Sequence, residues 1–242
     1  MSMTDEFRSL HASDFFVMPN PWDRGSARAL ERLGFPALAT TSSGYARSIG
    51  KNDQQVTRDE LVRHVADLTD FMSVPLNVDS ERLFPEDPGG IAESVRLLAE
   101  AGAAGCSIED YDPESQSIVP LGIARDAVAE AAASCRASGL VLTARTENHL
   151  YKQNDLEDTL ARLVAFREAG AEVLYAPGLT DSSDIARVVT ECGGPVNVLD
   201  MPSVPSMEEL AKLGVRRVST GGALYNEAHS ALRTAARKLR AG

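Results

Sequence analysis

Hydrophobic and polar positions along the chain follow two alternating rhythms. Eight short apolar runs, at 15–18, 37–41, 75–79, 104–108, 140–144, 172–176, 196–199 and 215–219, are bounded by Gly, Pro or polar residues. Runs of that length without polar alternation predict strands buried on both faces, as in parallel sheets. Between them, apolar residues return every three or four positions over 22–33, 58–71, 91–101, 123–138, 156–169, 182–192, 206–213 and 223–239. These stretches predict amphipathic helices, and a further short one at 5–12 precedes the first strand. Thr57 and Glu60 form a capping-box signature. Gly34, Gly102, Gly139, Gly170 and Gly214 stand just past helix ends, where a left-handed residue closes the last turn. Eight strands alternating with eight helices in 242 residues predict an α/β fold, a (β/α)8 TIM barrel forming a single domain over 1–242. Three segments fall outside the pattern: Ser42-Ser43-Gly44-Tyr45 reads as a turn, 46–56 as a polar loop fit to be a lid, and 111–120 as a long loop.

That architecture turns the ends of the apolar runs into the place to look for chemistry, because all strand carboxyl ends open on one rim. Asp79 and Glu109 close two neighbouring runs and Arg145 closes the next. Two acids on adjacent strand ends suit a hard divalent cation, which takes oxygen ligands and keeps several waters. The alternative is a pair of rim acids engaged by arginine or capping helices. A guanidinium at Arg145 can clamp a carboxylate or steady developing negative charge, or serve as a structural partner for Glu109 or Glu147. Ser42, Ser43 and Gly44 offer hydroxyls and N–H groups to an anion, although an ordinary turn explains them as well. Gly221-Gly222 after the last run admits the same two readings. Of four histidines, His11, His64 and His229 read as solvated or ordinary helix residues, and only His149 is expected to see the rim. There is no nucleophile elbow, Walker loop or dinucleotide fingerprint.

Composition narrows the partners. With 24 Lys and Arg against 35 Asp and Glu, the formal charge is −11. Such a chain repels nucleic acid and anionic membrane, and an anionic ligand must be captured by a local cation. Three cysteines lack metal-like spacing, and no run approaches a membrane span. The N-terminus has no basic segment followed by an apolar one. A cytoplasmic protein is expected.

Ser43-Gly44-Tyr45, Asn77-Val78-Asp79, Ser107-Ile108-Glu109-Asp110 and Ala144-Arg145-Thr146-Glu147 stand in the order and spacing of the isocitrate lyase/phosphoenolpyruvate mutase superfamily, which the chain resembles from Phe16 to about Ala236. The resemblance implies a (β/α)8 barrel, Mg²⁺ with Mn²⁺ as a substitute, and C–C or P–C bond chemistry on a small 2-oxo acid or phosphonate through an enolpyruvate-type intermediate. It implies a homo-oligomer, dimer or tetramer. Asp79, Glu109 and Asn77 would form the metal site, with Asn77 where the family often has Asp. Ser42, Ser43, Gly44, Tyr45, Arg145 and Asn197 would bind substrate, and Arg145, Asp53 and Glu109 would be catalytic, Asp53 from a gating loop. The Lys-Lys-Cys-Gly-His motif of the isocitrate and methylisocitrate lyases is absent: Glu109-Asp110 is followed by Tyr111-Asp112-Pro113-Glu114. Isocitrate and methylisocitrate are therefore not expected substrates. The altered loop also leaves open a non-catalytic barrel that only binds oxo acids.

Overall fold

The computed structural model describes residues 2–13 and 15–240. Eight parallel strands form one curved sheet in the order β1-β10-β9-β8-β7-β4-β3-β2. They are β1 (Phe16–Met18), β2 (Leu38–Ala39), β3 (Leu76–Val78), β4 (Gly105–Glu109), β7 (Val141–Arg145), β8 (Val173–Tyr175), β9 (Val196–Leu199) and β10 (Arg217–Ser219). The ends meet where Ala39 N–H donates to the Pro19 carbonyl at 3.1 Å, so the sheet is a nearly closed barrel of the predicted (β/α)8 kind. Helices α2 (Arg24–Arg32), α4 (Arg58–Thr69), α5 (Gly90–Glu100), α6 (Leu121–Ser138), α7 (Leu156–Glu168), α8 (Ser182–Glu191), α9 (Met207–Lys212) and α10 (Ala223–Arg240) alternate with the strands. Helix α1 (Met3–Ala12) precedes them. None of the described helices is long and apolar enough to cross a membrane.

Two expectations need correction. The segment expected as a turn is a short helix, α3 (Ser42–Ser48), capped by the Thr41 hydroxyl accepting from Gly44 N–H. The segment expected as an unstructured loop carries a small antiparallel hairpin of β5 (Tyr111–Asp112) and β6 (Ser117–Ile118). Both are too short for periodicity to register, and a cap or two pairs of ladder residues decide them.

Strand register sorts the side chains into two cores. One set of positions, including Leu38, Leu76, Val78, Cys106, Ile108, Leu142, Leu174, Val196 and Val218, faces the helices and packs with their apolar stripes. The intervening positions face the barrel axis. In most barrels these are bulky and fill the lumen. Here a small apolar cluster of Phe7, Phe16, Met18, Ala37, Ala39, Val141 and Val173 fills part of it, while Asn77, Ser107, Thr143, Asn197 and Ser219 are polar and mostly small. Phe7 and His11 come from α1 and are buried against this interior. Gly105 belongs to the same tight packing: a Cβ there would lie 2.7 Å from the Val141 carbonyl and 2.8 Å from the Phe7 ring.

Candidate active site

Small inward side chains leave a cavity of about 160 Å³. Its walls come from many strand ends: Met18, Ala39, Asn77, Asp79, Ser107, Thr143, Arg145, Tyr175, Asn197, Arg217 and Ser219, with Ser42, Ser43 and Asp53 from the α3 region and Gly221 and Gly222 after β10. Gly222 lies close to α3: a Cβ there would be 2.9 Å from Ser43 Oγ, which would have to turn away.

Arg145 organises the mouth. Its Nη1 donates to Asp79 Oδ1 at 2.8 Å and lies 3.5 Å from Glu109 Oε2, and its Nε donates to Glu147 Oε1 at 2.6 Å. Burial opposes the guanidinium charge, but Glu147, Glu109 and Asp79 outweigh it and hold its pKa well above the ordinary value. The acids remain in excess. Glu109 is raised well above the carboxylate range by burial, and Glu147 and Asp79 add repulsion that offsets the pull of Arg145. Glu81, three residues past β3 in a left-handed conformation (φ 48°), is buried with Oε1 unpartnered. Burial first, then Asp79 and Asp53, push its carboxyl up to about 8. Asp53 is likewise raised, by desolvation and then by Asp79. Asp79 Oδ2 accepts from Ser42 N–H at 2.8 Å, tying β3 to α3. The segment after α3 is folded inward: Gln54 Nε2 donates to Glu109 Oε1 at 2.8 Å, and Gln54 has φ 62°.

Several sequence-assigned residues meet here and others do not. Ser42, Ser43, Asp53, Asn77, Asp79, Arg145 and Asn197 line the cavity. Glu109 reaches it through Arg145 and also walls a neighbouring apolar cavity beneath α5 and α6. Gly44 and Tyr45 do not line it. Tyr45 stacks on His64 with ring centroids 3.8 Å apart and its hydroxyl donates to the Glu60 carbonyl. A helix rotates successive side chains by about 100°, so four adjacent residues cannot all face one ligand. The Asn197 amide is already used, its Oδ1 accepting from Arg217 and its Nδ2 donating to Ser219. His149, expected at the rim, bonds Thr159 Oγ1 instead. His11 and His64, read as solvated or ordinary helix residues, are helix residues of α1 and α4 and both are buried. Sequence reading missed Glu81, Gln54 and Arg217. Of these Arg217 had a signal, since it sits two before Ser219 and hence on the lumen side of its strand.

The oxygen-only donor set and the surplus of buried negative charge fit a hard divalent cation, with Glu81 Oε1 and Asn77 Oδ1 both unpartnered. Among the described residues no three Asp, Glu, His or Cys groups are gathered closely enough to enclose an ion. Arg145 keeps Asp79 and Glu109 engaged.

The family profile described as phosphoenolpyruvate phosphomutase matches residues 7–240. The chain belongs to the phosphoenolpyruvate phosphomutase family. A candidate lyase/mutase from Burkholderia cenocepacia J2315 shares 47% identity at a TM-score of 0.94, covering 98% of this chain and 88% of that one. Oxaloacetate decarboxylase from Paraburkholderia xenovorans is 30% identical over 246 residues, 96% of this chain and 80% of the relative. A phosphonopyruvate hydrolase solved with oxalate and Mg⁺⁺ has a TM-score of 0.88 at 20% identity, covering 99% of this chain and 87% of that one, a likeness of fold alone. The family establishes the barrel and the superfamily inferred from the motifs, whose members include lyases, decarboxylases and phosphonomutases.

Proposed function

We propose that the cavity receives a small 2-oxo acid together with Mg²⁺ or Mn²⁺, and that the enzyme cleaves or rearranges the bond next to the carbonyl through an enolate. The observation that carries this reading is the excess of buried carboxylates around Arg145 at the mouth of a small cavity. Glu81, Glu109 and Glu147, all buried, and the half-buried Asp79 face one guanidinium there, with Asp53 at the exposed edge. Buried acids in such numbers stay ionised only with another cation. Asp79, Glu109 and Glu81, with Asn77, are the residues that would hold it. A bound divalent ion supplies Lewis acidity to the oxo and carboxylate oxygens and a template for their orientation.

The protein's own groups supply the rest. Arg145, fixed by three carboxylates, is a preorganised cation for charge that develops on the substrate oxygen. Loss of such a contact costs about 3 kcal/mol of barrier, roughly a hundredfold in rate. Ser42 and Ser43 line the wall where a substrate carboxylate would lie. Asp53, with its raised carboxyl, is placed to hold a proton at the mouth, and Gln54 draws its segment across Glu109 to exclude water. Two findings guide the choice of substrate: one relative is an oxaloacetate decarboxylase, and the matching family profile is that of phosphoenolpyruvate phosphomutase. An oxaloacetate-like acid is the first to assay and a phosphonate the second. Nothing in the site favours a barrel that binds without reacting.

The test is Mg²⁺ calorimetry on the wild type and Asp79→Ala, with turnover over a panel of 2-oxo acids and phosphonates. Metal-dependent turnover that disappears with weakened Mg²⁺ binding in Asp79→Ala is the expected result. Unchanged Mg²⁺ binding removes the metal assignment. Binding of the acids without turnover of any converts the enzyme reading into the binding one.

A further inference from the structure

Arg217 is a buried cation without an anion. It is 2% exposed and lies on the cavity wall. Its Nε donates to Asn197 Oδ1 at 2.8 Å and its Nη2 to Thr143 Oγ1 at 3.0 Å, while its Nη1 is 3.1 Å from His11 Nε2. His11 Nδ1 lies 2.8 Å from the Phe7 carbonyl, which fixes the tautomer: Nδ1–H donates to Phe7 and the bare Nε2 accepts from Arg217. His11 is thus neutral, and burial followed by the Arg217 charge pushes its pKa down to about 3. Each partner is uncharged. No carboxylate among the described residues lies within 4.0 Å of the guanidinium. Of the five N–H groups of an arginine, three are engaged by these contacts and two are left. On the wall of the same cavity, Asn77 Oδ1 is buried with no donor.

An unpaired buried charge is costly and is ordinarily matched by a counter-charge. A purely structural hub tying α1, β7, β9 and β10 together would be served as well by a neutral amide network. We propose that Arg217 is an anion-binding residue at the closed end of the cavity, and that a carboxylate or similarly sized oxyanion of the ligand supplies its missing partner. The cavity would then hold the two ends of a dianionic acid at two cations, Arg217 below and the Arg145 region above. This rests on the reading that the cavity receives a small acid.

The experiment compares oxalate, a dianion, with pyruvate, a monoanion, by calorimetry with Mg²⁺ on the wild type, Arg217→Met and Arg217→Lys. Bromide soaked into wild-type crystals is the second probe. The expected result is bromide against the Arg217 guanidinium and a loss of oxalate affinity of about 30-fold or more in Arg217→Met, as for removal of one member of a buried charge pair. Pyruvate affinity should fall by less, and Arg217→Lys should restore much of the oxalate affinity. If Arg217→Met does not fold, the bromide site and Arg217→Lys decide. Unchanged oxalate affinity in Arg217→Met, or no bromide at the guanidinium, overturns the proposal and leaves the oxo-acid reading standing. Bromide at Arg217 in a wild type that binds neither acid sustains the anion site and removes the oxo-acid reading.

Discussion

Arg145 and Arg217 both lie largely out of solvent inside the same barrel, yet their surroundings are opposite. Arg145 touches Asp79, Glu109 and Glu147. Arg217 touches Asn197, Thr143 and His11. Burial is common to both, so the difference lies in the neighbours: acids hold the pKa of Arg145 well up, whereas burial draws that of Arg217 down to about 9. The mouth thus carries negative charge beyond what its own cation neutralises, and the floor carries positive charge with nothing to neutralise it. A small acid bound with a divalent cation would correct both imbalances at once.

Arg145→Met should break this comparison most severely. It strands three buried carboxylates, and removing one partner from a buried ion-pair network costs about 3–5 kcal/mol. Denaturant titration should show that loss, partly recovered at low pH where the acids protonate, and turnover should fall at least about a hundredfold. The floor gives a pH signature of the opposite origin. His11 is held neutral, with a folded pKa of about 3 against 6.5 for the free side chain. Between those values the unfolded chain takes up a proton that the folded protein refuses. Stability is unaffected above pH 6.5 and falls as pH drops towards 3, by up to about 4 kcal/mol. His64, lowered to about 4 by burial, adds to the same slope. Melting temperatures across this window should flatten in His11→Gln.

Gly105→Ala tests whether the lumen is as tightly built beside Arg217 as its contacts imply. The added methyl meets a carbonyl, the Phe7 ring and Asn77 Oδ1, all within 2.9 Å. Overpacking of that kind costs about 2 kcal/mol, readable as a lower denaturant midpoint with unchanged slope. The smallest effect belongs to Gln54→Ala. It removes one hydrogen bond to Glu109, about 1 kcal/mol, and should raise KM a few-fold with the melting temperature nearly constant.

The outer half of this molecule was legible in the sequence because it obeys periodicity. Leu76, Val78, Ile108 and Leu142 mark the strands, and their packing against helices is what an apolar run encodes. Asp79, Glu109 and Arg145 were legible for a related reason: each closes such a run, and a parallel barrel brings run ends together. Legibility failed where local geometry overrides pattern. The resemblance puts Tyr45 at the ligand, whereas one hydroxyl cap from Thr41 starts a helix that turns it towards His64. Glu81 lies beyond its strand in a left-handed conformation that no non-glycine sequence announces. His11 and Arg217 meet across 206 positions, and a contact of that range leaves no periodic trace in one sequence.

Helix α1 has a consequence for traffic. With Phe7 wholly buried beneath the strands and His11 beside it, the lumen is corked at one end and everything must use a single doorway. If a substrate is cleaved there, a fragment resting near Arg217 would leave after one lying by Gln54 and Asp53, and would compete with the next substrate for the empty enzyme.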